Sequence, residues 1–269
     1  MSLPYLEIEK AAEKIRNDFK GNSYGIIDIF EAAELLEFRV FRYPIGEDAF
    51  LGMALVHRGE KVIFTNSSAI LAREVFSAAH EIAHLTLHLD EKTLPAIMDK
   101  SFSDESSVVE KEANYFAACL LMPSELLEKF IRLSLSKKTG NNDLDGLDIA
   151  RIQTAFNVSY DMAVTRLREL KIIDLSKYNA LKAEKQEKTA TGLLKAINGN
   201  MELCSPANVK KAPAGFLEYI MFNYKEHLIP FESLKKVLDY FDVDAMLFKE
   251  ENTSEEDHDD LSEMLGRME

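Results

Sequence analysis

The stretch 78-AAHEIAHLTLHLD-90 holds three histidines, each four residues from the next, with a glutamate directly after the first. On a helix, residues four apart lie on one face, one turn on. His80 and His84 can therefore turn both imidazoles toward one ion, and His80-Glu81-Ile82-Ala83-His84 reads as HExxH. Glu81 stands about 100° round from His80, close enough to hold a water beside the ion without being a ligand. From there it can take the water's proton and pass it to a leaving amine. Five residues alone are thin, because at average frequencies the pattern arises by chance in about one chain of this size per hundred. His88 shares the face but lies about 12 Å along a regular helix axis from His80, so one ion cannot take all three. Its expected place is outside the ligand set, packed against the site or turned to substrate. The longer metzincin pattern, with its glycine bend, is absent.

A catalytic zinc takes three protein ligands and keeps a fourth position open. The next helical stretch, 108-VVEKEANYFAACLLMP-123, offers Glu110 and Glu112. They stand about 200° apart around a helix, so only one can face the ion. Four residues after Glu110 comes Asn114, able to hydrogen-bond a ligating histidine from behind; four after Glu112 comes Phe116, which cannot. That selects Glu110, with Asn114 as its companion. Ala78, Ala79 and Ala83 on one helix and Ala113, Ala117 and Ala118 on the other allow the close approach that such a site requires. A purely structural zinc needs a fourth protein ligand, and Cys119 lies about 13–14 Å along the helix from Glu110, too far to serve.

Working outward, residues 5–20 and 26–37 carry helical periodicity, and FRVFRYPI alternates as a strand does. MALVH and KVIFT flank Arg58-Gly59-Glu60 as a β-hairpin. Asn66-Ser67-Ser68 offers capping side chains to a helix over 69–89. A loop with Pro95 and the polar SFSDESS precede the helix at 105–121, and a short helix follows at 124–136. DIARIQTAF and YDMAVTRLREL read as two helices around the turn Asn157-Val158-Ser159, a helix-turn-helix-like unit. The second is no DNA reader by charge, since Arg166 and Arg168 are offset by Asp161 and Glu169. These readings divide the chain into a metallopeptidase-like domain at 1–137, a helix-turn-helix-like region at 138–178 and a linker at 179–212. A C-terminal helical segment at 213–249 and an acidic tail at 250–269 complete it.

The composition, 46% apolar and 29% charged with few Gly or Pro, fits a helix-rich globular protein. No apolar run is long enough for a membrane span and the first residues do not resemble a signal peptide, so a cytoplasmic protein is expected. Cys119 and Cys204 are the only cysteines and are expected as free thiols. The net charge of −14 argues against general nucleic-acid affinity. Residues 250–269 carry nine acidic side chains against one arginine and read as a solvated tail.

HEIAHLTLH followed by EKEANYFAACLLMP resembles the ImmA/IrrE family of metallo-endopeptidases, over about residues 20–175. HExxH alone occurs in many zincins, whereas its pairing with E--AN-FA--LLMP is specific. The resemblance implies an α+β fold, a small zincin-like domain with an antiparallel sheet packed on helices, followed by helical regions. It implies zinc, or another divalent ion, held by His80, His84 and Glu110, with Glu81 as catalytic base. It also implies a substrate, a helix-turn-helix transcriptional repressor of the Xre type, whose cleavage releases genes of mobile elements or stress responses in bacteria. The alternative is a regulatory protein that sequesters a repressor, or contacts DNA, without proteolysis; such a binder has no need of Glu81. Two features suit a protein substrate. The MALVH strand can pair with an extended chain if it lies at a sheet edge near the site, a covered or merely short strand being the equal alternative. The acidic charge can attract a basic DNA-binding protein, although solubility explains it equally well.

Overall fold

The computed structural model describes residues 3–19, 23–92, 94–99, 107–138, 143–213 and 215–248. The acidic stretch 250–269 and most of SFSDESS lie outside them. The chain is α+β and divides into two compact units at Ala214/Gly215.

The first unit is built on a four-stranded sheet in the order β1-β3-β2-β4. β1 (Phe38–Tyr43) buries alternate residues, Phe38, Val40 and Arg42. The hairpin of β2 (Gly52–His57) and β3 (Glu60–Asn66) turns through Arg58 and Gly59, both at positive φ. β3 inserts between β2 and β1, and its pairing with β1 is parallel, so the sheet is mixed rather than wholly antiparallel. β4 (Ala96–Asp99) pairs antiparallel with β2. MALVH is therefore an inner strand, and of the two readings, open edge or covered strand, the covered one holds. Pro95 and the short length of β4 hid that strand, although the Pro95 carbonyl accepts from the Val56 amide at 2.7 Å.

Against the sheet lies α3 (Leu71–Ala83), continued by a π-helical turn at His84–His88. The side chains expected to cap it do other work. Asn66 holds the loop before β2, donating to the carbonyls of Gly46 and Phe50, and Ser67 donates to the Val209 carbonyl. The residue before α3 is Ile70, with no side-chain cap. α3 is pinned to the sheet by Glu74, fully buried, which accepts from Arg42 Nε at 2.9 Å and Nη2 at 2.8 Å, and from Thr65 Oγ1 at 2.9 Å. The Arg42 guanidinium also lies 3.8 Å from the Phe30 ring centre, on α2 (Ile29–Leu35).

α4 (Val108–Leu121) packs on α3, and Ala113, Ala117 and Ala118 on the one and Ala78, Ala79 and Ala83 on the other are all buried. α1 (Tyr5–Asp18) packs on α4, and buried Arg16 donates to the carbonyls of Leu120 and Tyr24. After α5 (Ser124–Leu133), α6 (Gly146–Phe156) and α7 (Tyr160–Glu169) flank Asn157, which adopts a left-handed conformation. Arg166 of α7 is buried and donates to the Met122 carbonyl and to Cys119 Sγ, so it ties the helix pair to the end of α4. Arg168 lies over the Tyr178 ring.

Residues 179–212 are not a linker. α8 (Leu175–Lys188) and α9 (Ala190–Ala196) bury Leu181, Leu193 and Leu194 in the main core. The chain then returns to the sheet, where Lys211 exchanges backbone hydrogen bonds with Arg42 on the outer side of β1. The high charge of YNALKAEKQEKT masked Leu181, the one buried residue of α8. The second unit contains α10 (Phe216–Lys225) and α11 (Phe231–Tyr240), with Leu234, Leu238 and Ala245 as its buried centre. No helix among the described residues is long and apolar enough to cross a membrane.

Removing one partner of a buried ion pair strands the other charge, at a cost of about 3–5 kcal/mol, whereas apolar replacement of both is close to neutral. Glu74→Ala is thus expected to lower urea-unfolding stability by about that amount. The double variant Arg42→Met/Glu74→Leu recovers most of the loss.

Candidate metal centre

His80 lies in the last turn of α3 and His84 opens the π-helical turn that continues it, and close packing on α4 brings the first helical turn of α4 opposite them. Ser107 caps α4, its hydroxyl accepting from the Glu110 amide. His80 Nε2 and His84 Nε2 lie 2.9 Å apart. Glu110 reaches His80 Nε2 at 3.0 Å through Oε2 and His84 Nε2 at 3.6 Å through Oε1. Donors about 2.0–2.1 Å from one tetrahedral zinc stand about 3.3 Å from each other. The three observed spacings bracket that value, and two imidazoles with a carboxylate are a donor set that zinc accepts. Among the described residues this is the group with the geometry to hold a metal ion.

The protonation states suit the same purpose. Hydrogen bonds with His80 and then His84 hold the Glu110 carboxyl far below the usual carboxylate range. Burial pushes the His84 imidazole below its ordinary value, against the opposing pull of Glu110. At neutral pH the first is an anion and the second a neutral ring with a lone pair to offer.

Behind the ring of His80, its Nδ1 lies 3.0 Å from Asn114 Oδ1. An amide oxygen only accepts, so when Nε2 offers its lone pair to a metal the ring proton of His80 is on Nδ1 and is donated to Asn114. Glu81 is fully buried one residue on, outside the three-donor group. A Cβ on Gly52 of β2 would overlap the Glu81 Oε1 oxygen and come within 3.1 Å of its Cγ and Cδ. Gly52 has no positive φ to require glycine; the carboxylate occupies the space that a side chain would take.

His88 lies outside the three-donor group. The helix is not regular there: the Leu89 amide reaches back five residues to the His84 carbonyl at 2.8 Å, and Thr86 Oγ1 donates to the Ile82 carbonyl at 2.6 Å. On this turn His88 Nδ1 lies 3.1 Å from His84 Nδ1. Glu112, passed over as a ligand, is buried and accepts from His88 Nε2 at 3.1 Å. The sequence signal for Glu112 was its spacing two residues from Glu110, read only as a competition for the metal. Nothing in the sequence pointed to Gly52, because strand register against a helix is not a local property.

The peptidase family model described as the IrrE N-terminal-like domain matches residues 33–168, just over half of the chain. The chain belongs to this family. No curated protein matches it. The IrrE-like segment contains α3, α4 and the α6–α7 pair, and so the whole three-donor cluster, in a metallopeptidase family. α1 and the returning segment at 205–211 fall outside it.

Gly52→Ala should displace the Glu81 carboxylate and lower the melting temperature of the metal-free protein by several degrees, as overpacking does. In a Glu81→Ala background the same substitution should be close to neutral. Equal losses in both backgrounds would show that Gly52 is not kept small for Glu81.

Proposed function

We propose that the chain is a zinc-dependent endopeptidase in which His80, His84 and Glu110 are the metal ligands and Glu81 is the general base. The observation that carries this is the Glu81 carboxylate, fully buried between the two histidines of a three-donor cluster that Glu110 of α4 completes. A binding protein that merely used the fold would gain nothing from a buried acid there, at the desolvation cost that entails. A divalent ion held by the three donors supplies Lewis acidity, polarising the scissile carbonyl and making the attacking water more acidic. Glu81 takes the proton of that water on a carboxylate oxygen and delivers it to the amine nitrogen as the C–N bond breaks. Asn114 fixes the His80 ring with Nε2 toward the cluster.

The substrate we propose is an Xre-type helix-turn-helix repressor, cut to relieve repression in a mobile-element or stress response. Three things support it: the resemblance to the ImmA/IrrE family, a net charge of −14 that favours a basic partner, and the sheet geometry. β4 has β2 on one side, and its Asp99 pairs with Gly52, the residue against Glu81. An extended segment adding to the other side of β4 would run within one strand of Gly52. Such a substrate would put the enzyme in the cytoplasm. The inward use of Arg166 supports a structural role for the helix pair α6–α7 over a DNA-reading one.

Incubation with the repressor encoded beside its gene, read by intact mass, tests the reading. A single defined cut is expected, abolished by chelator and reduced at least about 100-fold by Glu81→Gln with metal content unchanged. Sequestration of an intact repressor, indifferent to Glu81→Gln, would instead establish a binding protein. Asn114→Ala is expected to weaken metal affinity about 10- to 100-fold in chelator competition.

A further inference from the structure

The nitrogen of His84 that faces away from the cluster begins a chain of contacts that the hydrolytic chemistry does not use. His84 Nδ1 lies 3.1 Å from His88 Nδ1, His88 Nε2 lies 3.1 Å from Glu112 Oε2, and Glu112 Oε1 accepts from the Leu3 backbone amide at 2.5 Å. His84 is fully buried, and the side chains of His88 and Glu112 are each 7% exposed.

The direction of every proton in this chain follows from its two ends. A ring nitrogen that ligates a metal offers its lone pair, so the proton of neutral His84 is on Nδ1 and is donated to His88 Nδ1. His88, accepting on Nδ1, keeps its own proton on Nε2. An ionised carboxylate only accepts, so His88 donates to Glu112. The reverse polarity is closed at both ends.

Resting on the reading that His80, His84 and Glu110 hold a metal, we infer that His88 and Glu112 are positioning residues of that centre. They orient the His84 ring and strengthen its Nε2 as a donor, through a carboxylate–histidine–histidine relay anchored by the Leu3 amide. A carboxylate behind a metal-bound histidine fixes the tautomer and raises ligand basicity; here one more imidazole is interposed. The four-residue spacing makes this possible: His84 and His88 stand on neighbouring turns of the helix and its π-helical continuation, with the two Nδ1 atoms within hydrogen-bond distance. The chain just before α1, a helix outside the family-matched segment that packs along α4, closes the last link of the relay. Glutamine cannot replace Glu112, since both carboxylate oxygens accept and an amide has only one acceptor.

The test uses the full chain, with Zn²⁺ affinity measured by competition with a chromophoric chelator and the visible spectrum of the Co²⁺-loaded protein. Glu112→Gln and His88→Phe, the latter keeping the ring volume, should each weaken Zn²⁺ about 10- to 100-fold and shift the Co²⁺ bands. The metal-free proteins should melt within a few degrees of the unaltered one. A purely structural role would lower melting without moving the Co²⁺ bands, and that result overturns the inference, as does unchanged affinity in both variants. If the unaltered chain takes up no ion, the metal reading falls and this one falls with it.

Discussion

The close packing of α3 on α4 is the contact on which the rest depends. Two helices meeting through Ala78, Ala79 and Ala83 on one side and Ala113, Ala117 and Ala118 on the other approach without long side chains between them. Only at that separation does a glutamate in the first turn of α4 touch imidazoles near the end of α3. The alanines also leave little volume to adjust, so the spacing of the donor atoms is set by backbone against backbone rather than by flexible side chains.

Rigidity is added from three directions. The bidentate pair of Arg42 with Glu74 ties α3 to β1, and Thr65 ties it to β3. Asn114 supports His80 from α4. The π turn, His88 and Glu112 support His84 from the opposite end. The centre is thus held by elements distant in sequence, and a buried polar network of this kind stands only because each described link finds a partner of the right polarity. The segment 201–211 contributes as well. By pairing Lys211 with Arg42 it covers the outer side of β1, leaving β4 at the other side of the sheet.

Much of this is written locally in the chain. The HExxH spacing, the alanine faces and the Glu110–Asn114 pair are all helical periodicities, and helical faces can be read without knowing the fold. What escaped was non-local or irregular. β4 is four residues beside a proline, too short to declare itself. The π turn alters a helix by one residue and has no reliable sequence mark, although Thr86, bonding back to the Ile82 carbonyl, is the kind of residue that perturbs a helix. α8 hides behind lysines and glutamates because only Leu181 on it is fully buried. Gly52 and the Leu3 amide act at the site across 29 and 109 residues of chain, separations that only the tertiary structure connects.

The central claim is the identity of the three donors, and a crystal structure of the zinc-loaded protein with anomalous diffraction at the zinc edge tests it most directly. The account predicts one anomalous peak per chain, about 2.0–2.1 Å from His80 Nε2, His84 Nε2 and a carboxylate oxygen of Glu110, with His88 in contact with His84 and not with the ion. A peak bound by His88 or Glu112 in place of Glu110, or by residues away from α3, would contradict it.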